Sequence, residues 1–153
     1  MTVKDSITVV REFTDGLRAG DVPACLDLLD EAIVFSEADS LPFGGDYVGR
    51  NGFLGMLRAV NRDFRVDLEQ PEIATAGCRI LVTVRGMFTS RVTGRSLALD
   101  CVDLYQVRDG KIVRVDVFYK DSHALTELCR EEVAAAATGQ PHSTTPDDRD
   151  EFR

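Results

Sequence analysis

The sequence predicts one α+β domain in which a curved, cone-shaped antiparallel β-sheet wraps around N-terminal helices. Apolar residues recur at helical spacing in segments of the first 61 residues, and at every second position in segments between residues 66 and 119. The 153 residues suit a single domain with its own core, and we find no internal repeat or dividing linker. Helices can cover only one face of such a sheet, so a sheet that curls around them forms a cone with an open mouth.

Two helices are predicted at the N-terminus. Val10, Phe13 and Leu17 recur at helical spacing and give the first helix one apolar face. Gly20 is expected to end this helix, because glycine readily adopts the left-handed conformation found after a helix. Asp21 is then placed to cap a short second helix that has a proline in its first turn.

A first strand and a third helix come next. Residues 32–36 are mostly β-branched or aromatic, which is typical of a strand. Residues 37–48 are rich in Gly, Pro and Asp and are predicted to form a loop. Residues 51–61 carry apolar side chains at helical spacing, which predicts an amphipathic helix.

Long antiparallel strands complete the predicted domain. The strands are expected at residues 78–90, 97–107 and 111–119. The dipeptide Asp109-Gly110 is a strong hairpin signal between the last two. A capped helix follows, and the domain is predicted to cover residues 1–135. Residues 136–153 are polar and acidic, so we predict a disordered tail there.

Composition and charge argue against several classes of function. The net charge of -8 repels phosphate backbones and anionic lipids, so no nucleic-acid or membrane partner is expected. No apolar stretch could span a bilayer, and the N-terminus lacks the pattern of a signal peptide. Four cysteines without a CxxC pair indicate reduced thiols in a cytoplasmic protein. Neither a metal site nor a nucleotide-binding loop is predicted, and no cofactor is expected.

Several short motifs resemble one known family in their order and spacing. They are Arg18-Ala19-Gly20-Asp21, Pro42-Phe43-Gly44 with Gly49-Arg50, residues 98–104, and Asp109-Gly110-Lys111-Ile112. Together they resemble the nuclear transport factor 2-like superfamily, which includes ketosteroid isomerase and the SnoaL-like polyketide cyclases. The resemblance covers nearly the whole chain before the tail. It implies the same cone fold, with a pocket for a hydrophobic small molecule.

The resemblance also implies a polar centre in that pocket. It aligns Asp103 with the buried acid of ketosteroid isomerase, which stays protonated in order to donate a hydrogen bond. The oxyanion-hole tyrosine falls on Phe13 and the general-base aspartate falls on Ser36, and neither side chain can do that chemistry. Glu37 and Asp39 lie just beyond, on the predicted loop. One of them is the candidate base, and solvated loop charge is the alternative.

Strand alternation supports the same centre. Asp103 shares one strand face with apolar neighbours, and a lone carboxyl on such a face is costly unless it is neutral or paired. Asp103 is therefore a candidate acid, and a structural carboxylate paired with an arginine or a backbone amide is the alternative. Tyr119 should face the pocket and could supply the hydroxyl that Phe13 lacks. The predicted wall of the pocket consists of Phe13, Leu17, Ser36, Phe53, Met56, Leu57, Val84, Leu99, Cys101, Val115 and Val117.

Two functions of different classes fit this sequence. The first is a cofactor-independent enzyme that isomerises or cyclises a hydrophobic ketone or polyketide-like molecule by acid–base chemistry. The second is a non-catalytic binding or interaction domain of the same fold. Val102, Leu104 and Phe118 are expected on the sheet face that the helices leave open. An exposed apolar patch of this kind predicts a homodimer packed sheet to sheet.

Overall fold

The computed structural model of the chain describes residues 4–128 and residue 130. Its helices are α1 (Ser6–Ala19), α2 (Val22–Asp27) and α3 (Gly49–Asp63). Its strands are β1 (Leu29–Glu37), β2 (Gly45–Val48), β3 (Phe64–Leu68), β4 (Glu72–Ala76), β5 (Arg79–Ser90), β6 (Ser96–Arg108) and β7 (Lys111–Tyr119). Residues 122–128 form a further helical segment. None of the helices in the described part of the chain is both long and apolar enough to cross a membrane.

The helix boundaries follow local chemistry. Gly20 ends α1 in a left-handed conformation with φ of 70°, which costs glycine little because it has no Cβ. The Asp21 carboxylate accepts a hydrogen bond from the Ala24 amide at 3.2 Å and so caps α2. Asp121 caps the segment 122–128 in the same way, through the Ala124 amide at 2.9 Å. The predicted end of α1 at Gly20, the predicted cap at Asp21 and the predicted capped helix after β7 are confirmed.

The seven strands form one sheet in the order β2-β1-β7-β6-β5-β3, and β4 also pairs with β5. Asp109 and Gly110 have φ of 51° and 74°, which confirms the predicted two-residue hairpin between β6 and β7. All pairs are antiparallel except β1 with β7, which run parallel. The sheet was predicted to be antiparallel throughout, and this one parallel pair is the exception. Alternation along a strand shows which face it buries, but it does not show the direction of its neighbour.

The first strand differs most from the prediction. β1 runs to Glu37, which pairs with Gly45 of β2, whereas residues 37–48 were predicted to be a loop. The turn between the two strands is tight, because a Cβ on Gly44 would lie 2.3 Å from the Ala38 carbonyl oxygen. Glu37 therefore lies on a strand, and only the short turn after it is irregular.

Two apolar clusters fill the inside of the curved sheet. The first contains the aromatic floor, formed by Phe13, Phe35, Phe53 and Tyr105, whose neighbouring ring centroids are 5.2–6.0 Å apart. The second includes Phe43, Phe64, Phe88, Leu99 and Leu125 of the helical segment 122–128. The predicted tail at residues 136–153, the domain end at residue 135 and Cys129 lie outside the described residues.

Candidate functional site

A cavity of about 570 Å³ lies against both apolar clusters. Phe35 and Tyr105 of the aromatic floor line it, as do Phe43 and Phe88 of the second cluster. The exposed lining residues mark its mouth, and they are Arg18, Ala19, Gly20, Asn61 and Asp67. The mouth thus lies at the C-terminal ends of α1 and α3, beside β3. A cavity of this size suits a ligand of ordinary small-molecule dimensions.

Most of the predicted wall residues lie along this cavity. They are Leu17, Met56, Leu57, Val84, Cys101, Val115 and Val117. Phe13 and Phe53 face inward but are fully buried, because the other rings of the aromatic floor pack around them. Leu99 is buried in the second cluster. These three residues support the wall without forming its surface.

The prediction for Ser36 is wrong by one residue. In β1 the side chains of Ile33, Phe35 and Glu37 are buried, so Ser36 lies on the opposite face of the strand. There it is level with Asp46 of β2 and Asp116 of β7. A shift of one residue along a strand inverts the face, and Glu37 takes the inner position that the resemblance assigned to Ser36.

Asp103 faces the cavity from the middle of β6, where it lies opposite Val82 and Val117. Its Oδ1 is buried and makes no hydrogen bond to any residue that the structure describes. Burial, and secondarily the negative charge of Glu37, raise the pKa of Asp103 from 3.8 to about 7. Asp103 is therefore not the arginine-paired structural carboxylate that was the alternative.

Glu37 faces the same cavity from the end of β1 and is only 8% exposed. The Tyr119 hydroxyl donates a hydrogen bond to its Oε2 at 2.8 Å. Burial raises the pKa of Glu37 from 4.5 to about 7, and the hydrogen bond from Tyr119 opposes this rise. Burial and the nearby Glu37 carboxylate hold the pKa of Tyr119 well above 10, so its hydroxyl keeps a proton to donate.

The register of the sheet sets the distance between the two carboxyls. Ser36 pairs with Asp116, so Glu37 lies next to Val117, which faces Asp103 on the other side. Two strand spacings, about 10 Å, separate the backbones of Glu37 and Asp103. Because both side chains point into the cavity, a reacting group above Val117 would lie between them.

Asp39 does not join this pair. It is exposed, in the turn between β1 and β2, and borders a groove that also contains Asp46, Asp116 and Ser122. Glu37 and Tyr119 border both this groove and the cavity, so their hydrogen bond lies between the two spaces.

Sequence reasoning missed several residues that line the cavity, among them Phe35, Phe43, Phe88 and the phenol-bearing Tyr105. Tyr105 lies two residues after Asp103 on the inner face of β6 and lines the cavity. Alternation places it on that face, but no role was assigned to it. The sequence did contain a signal for it, because a phenol two residues after the candidate acid must lie on the same face of the strand.

The cavity also contains two thiols. Burial is the main reason that the pKa of Cys25 rises to about 11 and that of Cys101 to about 12. Both thiols therefore stay neutral and are poor nucleophiles at neutral pH. Among the residues described, no group of three His, Cys, Asp or Glu side chains could hold a metal ion.

Comparison with known proteins identifies the family. The model of the SnoaL-like domain matches residues 10–115, well over half of the chain. The chain belongs to the SnoaL-like family. No significant match is found among curated proteins.

Solved structures share the fold of this SnoaL-like protein. A nuclear transport factor 2-like protein of unknown function from Burkholderia pseudomallei has a TM-score of 0.70 and 24% identity, over 77% of this chain and 92% of its own. TerC, co-crystallised with polyporic acid, has a TM-score of 0.72 and 23% identity, over 81% and 97%. A candidate polyketide cyclase from Xanthomonas campestris pv. campestris has a TM-score of 0.68 and 22% identity, over 79% and 94%.

Proposed function

We propose that this SnoaL-like protein is a cofactor-independent enzyme that performs acid–base chemistry on a hydrophobic ketone or polyketide-like small molecule. The reaction class is removal of a proton next to a carbonyl, followed by isomerisation or aldol-type cyclisation. One observation carries the proposal: the buried carboxyl of Glu37 and the half-buried carboxyl of Asp103 face one apolar cavity in different surroundings. Paired groups of this kind commonly divide into an acid and a base.

The surroundings assign the two roles. Glu37 accepts a hydrogen bond from Tyr119, which favours its charged form, so Glu37 is the base. Asp103 has no such partner among the described residues, so it is the group that stays neutral and donates a hydrogen bond. Their mutual repulsion disfavours the state in which both are ionised. One proton on the pair is the arrangement that the reaction needs.

The reaction follows from these roles. The Glu37 carboxylate takes a proton from the carbon next to the carbonyl, and the electron pair of that C–H bond forms an enolate. Neutral Asp103 donates a hydrogen bond to the enolate oxygen as negative charge builds there. Protonated Glu37 can then return the proton to another carbon, which gives isomerisation. Alternatively the enolate carbon bonds to a second carbonyl of the same molecule, and Glu37 protonates the new alkoxide.

The cavity and the structural neighbours support the proposed substrate class. The walls are mainly aliphatic and aromatic, with few polar groups, which suits an apolar organic molecule. Among the neighbours, TerC was co-crystallised with polyporic acid, and the Xanthomonas protein is a candidate polyketide cyclase. A cytoplasmic location is part of the proposal and rests on the sequence alone.

Proton exchange tests the proposal without the natural substrate. In deuterated water, we expect the protein to accelerate exchange of the α-hydrogens of 2-tetralone, an apolar bicyclic ketone, and proton NMR measures the rate of this exchange. Glu37→Gln keeps the shape of the side chain but removes the base, and should slow this exchange by roughly 10² to 10⁴-fold. Asp39→Asn is the matched control, because it removes an exposed carboxylate near the same strand end and should leave the rate unchanged.

Two results would contradict the proposal. If the protein binds 2-tetralone but does not accelerate exchange, the binding domain of the same fold is the better description. If Glu37→Gln exchanges as fast as the wild type, Glu37 is not the base.

A further inference from the structure

The hydroxyl of Tyr105 is a second polar group of the cavity that lacks a protein partner. Tyr105 is 2% exposed, yet it lines the cavity. Its hydroxyl makes no hydrogen bond to any residue in the described part of the chain. Asp103 Oδ1, and not this hydroxyl, is the fully buried unpaired atom, so the Tyr105 hydroxyl is open to the cavity and can donate a hydrogen bond to a group that enters it.

The other two tyrosines of the chain already use their hydroxyls. Tyr47 donates to the Phe43 carbonyl oxygen at 2.9 Å, and Tyr119 donates to Glu37 at 2.8 Å. The sequence contains three tyrosines, so Tyr105 alone retains a free phenol. Phe13, at the position of the oxyanion-hole tyrosine in the family resemblance, has no hydroxyl.

The position of Tyr105 brings its phenol close to Asp103. The two residues lie on the same face of β6, so about 7 Å separates their Cα atoms. The Tyr105 ring packs edge-on against Phe13, with centroids 5.9 Å apart and an interplanar angle of 67°, which holds the ring against the aromatic floor. Burial, followed by the negative charge of Asp103, raises the pKa of Tyr105 well above 10. The phenol therefore stays protonated at neutral pH.

We propose that Tyr105 and Asp103 donate hydrogen bonds to the same substrate oxygen and hold it at the inner end of the cavity. This inference rests on the proposed function, in which Asp103 is a neutral donor. The class of substrate is then a planar apolar ligand whose carbonyl or enolate oxygen enters first. Its carbon skeleton extends along Met56 and Leu57 towards the mouth at Arg18.

A phenol on a flat apolar skeleton tests this geometry, because its oxygen resembles that of an enol. We choose 2-naphthol, whose own fluorescence reports binding. Tyr105→Phe should weaken its binding by about tenfold, and should slow 2-tetralone exchange by a similar factor, since one hydrogen bond to the ligand oxygen is lost. Tyr47→Phe is the matched control: it removes a phenol outside the cavity and should leave both measurements unchanged.

Stability separates this role from a structural one. Removing a hydroxyl that has no protein partner should leave the melting temperature of Tyr105→Phe equal to or above that of the wild type. Tyr47→Phe loses an existing hydrogen bond and should melt at a lower temperature. A Tyr105→Phe protein that is less stable but binds 2-naphthol normally would show that the hydroxyl is structural and would overturn the inference.

Comparison with Asp103→Asn and Glu37→Gln distinguishes the two proposals. If Asp103→Asn weakens 2-naphthol binding and Tyr105→Phe does not, the role of Tyr105 fails while the proposed function stands. If wild-type protein does not bind 2-naphthol, the role of Tyr105 also fails, and the exchange assay still judges the proposed function. If neither Asp103→Asn nor Glu37→Gln slows exchange, both proposals fail.

Discussion

The two faces of one sheet place carboxyl groups in opposite surroundings. On the outer face, Asp100 pairs with Arg85, and Asp116 pairs with Arg114, each at 2.9 Å. On the inner face, Asp103 has a buried oxygen with no partner among the described residues. Asp100 and Asp103 belong to the same strand, and their odd spacing of three residues places them on opposite faces of the sheet.

The difference lies in what each group costs the folded state. The outer carboxylates are paired at a hydrated surface, where such ion pairs contribute little to stability either way. The inner carboxyls have lost much of their hydration, which is the main cause of their raised pKa values. A fold gains nothing from two such groups in an apolar cavity. Their chemistry towards a ligand is the physical reason that we assign to them.

Between the two faces of β6, the largest expected effect comes from Asp103. Asp103→Leu removes the hydrogen-bond donor at similar volume and should slow 2-tetralone exchange by about 100-fold or more. Asp103→Asn keeps a donor and should retain partial activity. Asp100→Leu, on the outer face of the same strand, is the control and should leave the rate unchanged. Equal exchange rates in folded Asp103→Leu and wild-type protein would end the oxyanion hypothesis and leave Asp103 without a catalytic role.

The position of a residue within its strand decided whether its face could be predicted from the sequence. Asp103 lies inside a strand of 13 residues, where several alternating neighbours fix the face that it occupies. Ser36 lies near the end of β1, where the glycine- and proline-rich turn hides the strand boundary. There the predicted alignment was off by one residue, so Ser36 was assigned to the inner face that Glu37 occupies.

Long-range pairings could not be predicted in this way. The hydrogen bond from Tyr119 to Glu37 joins residues 82 positions apart, and the parallel pairing of β1 with β7 brings them together. The alternation of apolar and polar residues shows which face of a strand a side chain occupies. It does not show which strands are neighbours, so it could not predict that Tyr119 and Glu37 are in contact. The fold class depends on periodicity and was predictable, whereas the charge state of Glu37 depends on this contact.

The next largest effect is a dependence of stability on pH. The folded-state pKa values of Glu37 and Asp103 are raised to about 7, so the folded protein binds more protons than the unfolded chain above about pH 4. Their contribution to stability is complete below the unfolded pKa values and is lost as pH rises towards 7. For each group this loss is on the order of 1.4 kcal/mol per pH unit.

Chemical denaturation at pH 5 and pH 7 measures this loss. We expect the difference in unfolding free energy between the two pH values to shrink in Asp103→Asn, because an amide does not titrate. Asp100→Asn should keep the wild-type difference. A wild-type protein that becomes more stable relative to Asp103→Asn as pH rises would show that Asp103 is ionised in the folded state.

A smaller effect is expected at Tyr119. Its hydrogen bond stabilises the charged form of Glu37, so Tyr119→Phe should raise the pKa of Glu37 further. The acid limb of the pH–rate profile for 2-tetralone exchange should then move up by about one unit, and the rate at pH 7 should fall several-fold. Tyr47→Phe should leave the limb in place. An unchanged acid limb in Tyr119→Phe would mean that the pKa of the acid limb does not belong to Glu37.

The smallest effect on catalysis is expected from the outer face, for which we propose a homodimer packed sheet to sheet. Val102 and Phe118 lie opposite each other on neighbouring strands and are 37% and 53% exposed, so they form one apolar patch. Phe118→Glu would place a charge in the proposed interface and should shift sedimentation at micromolar concentration from dimer to monomer. Val92→Glu, at a residue 50% exposed in the turn between β5 and β6, is the control and should remain dimeric.

The rate of catalysis should be nearly the same in the monomer and in the dimer. Every residue to which we assign chemistry lies on the inner face, and a single chain supplies all of them. The Phe118→Glu monomer should therefore exchange 2-tetralone at close to the wild-type rate. A wild-type protein that sediments as a monomer would refute the dimer. A Phe118→Glu monomer that loses the exchange activity would refute the separation of the two faces, because the cavity would then depend on support from the outer face.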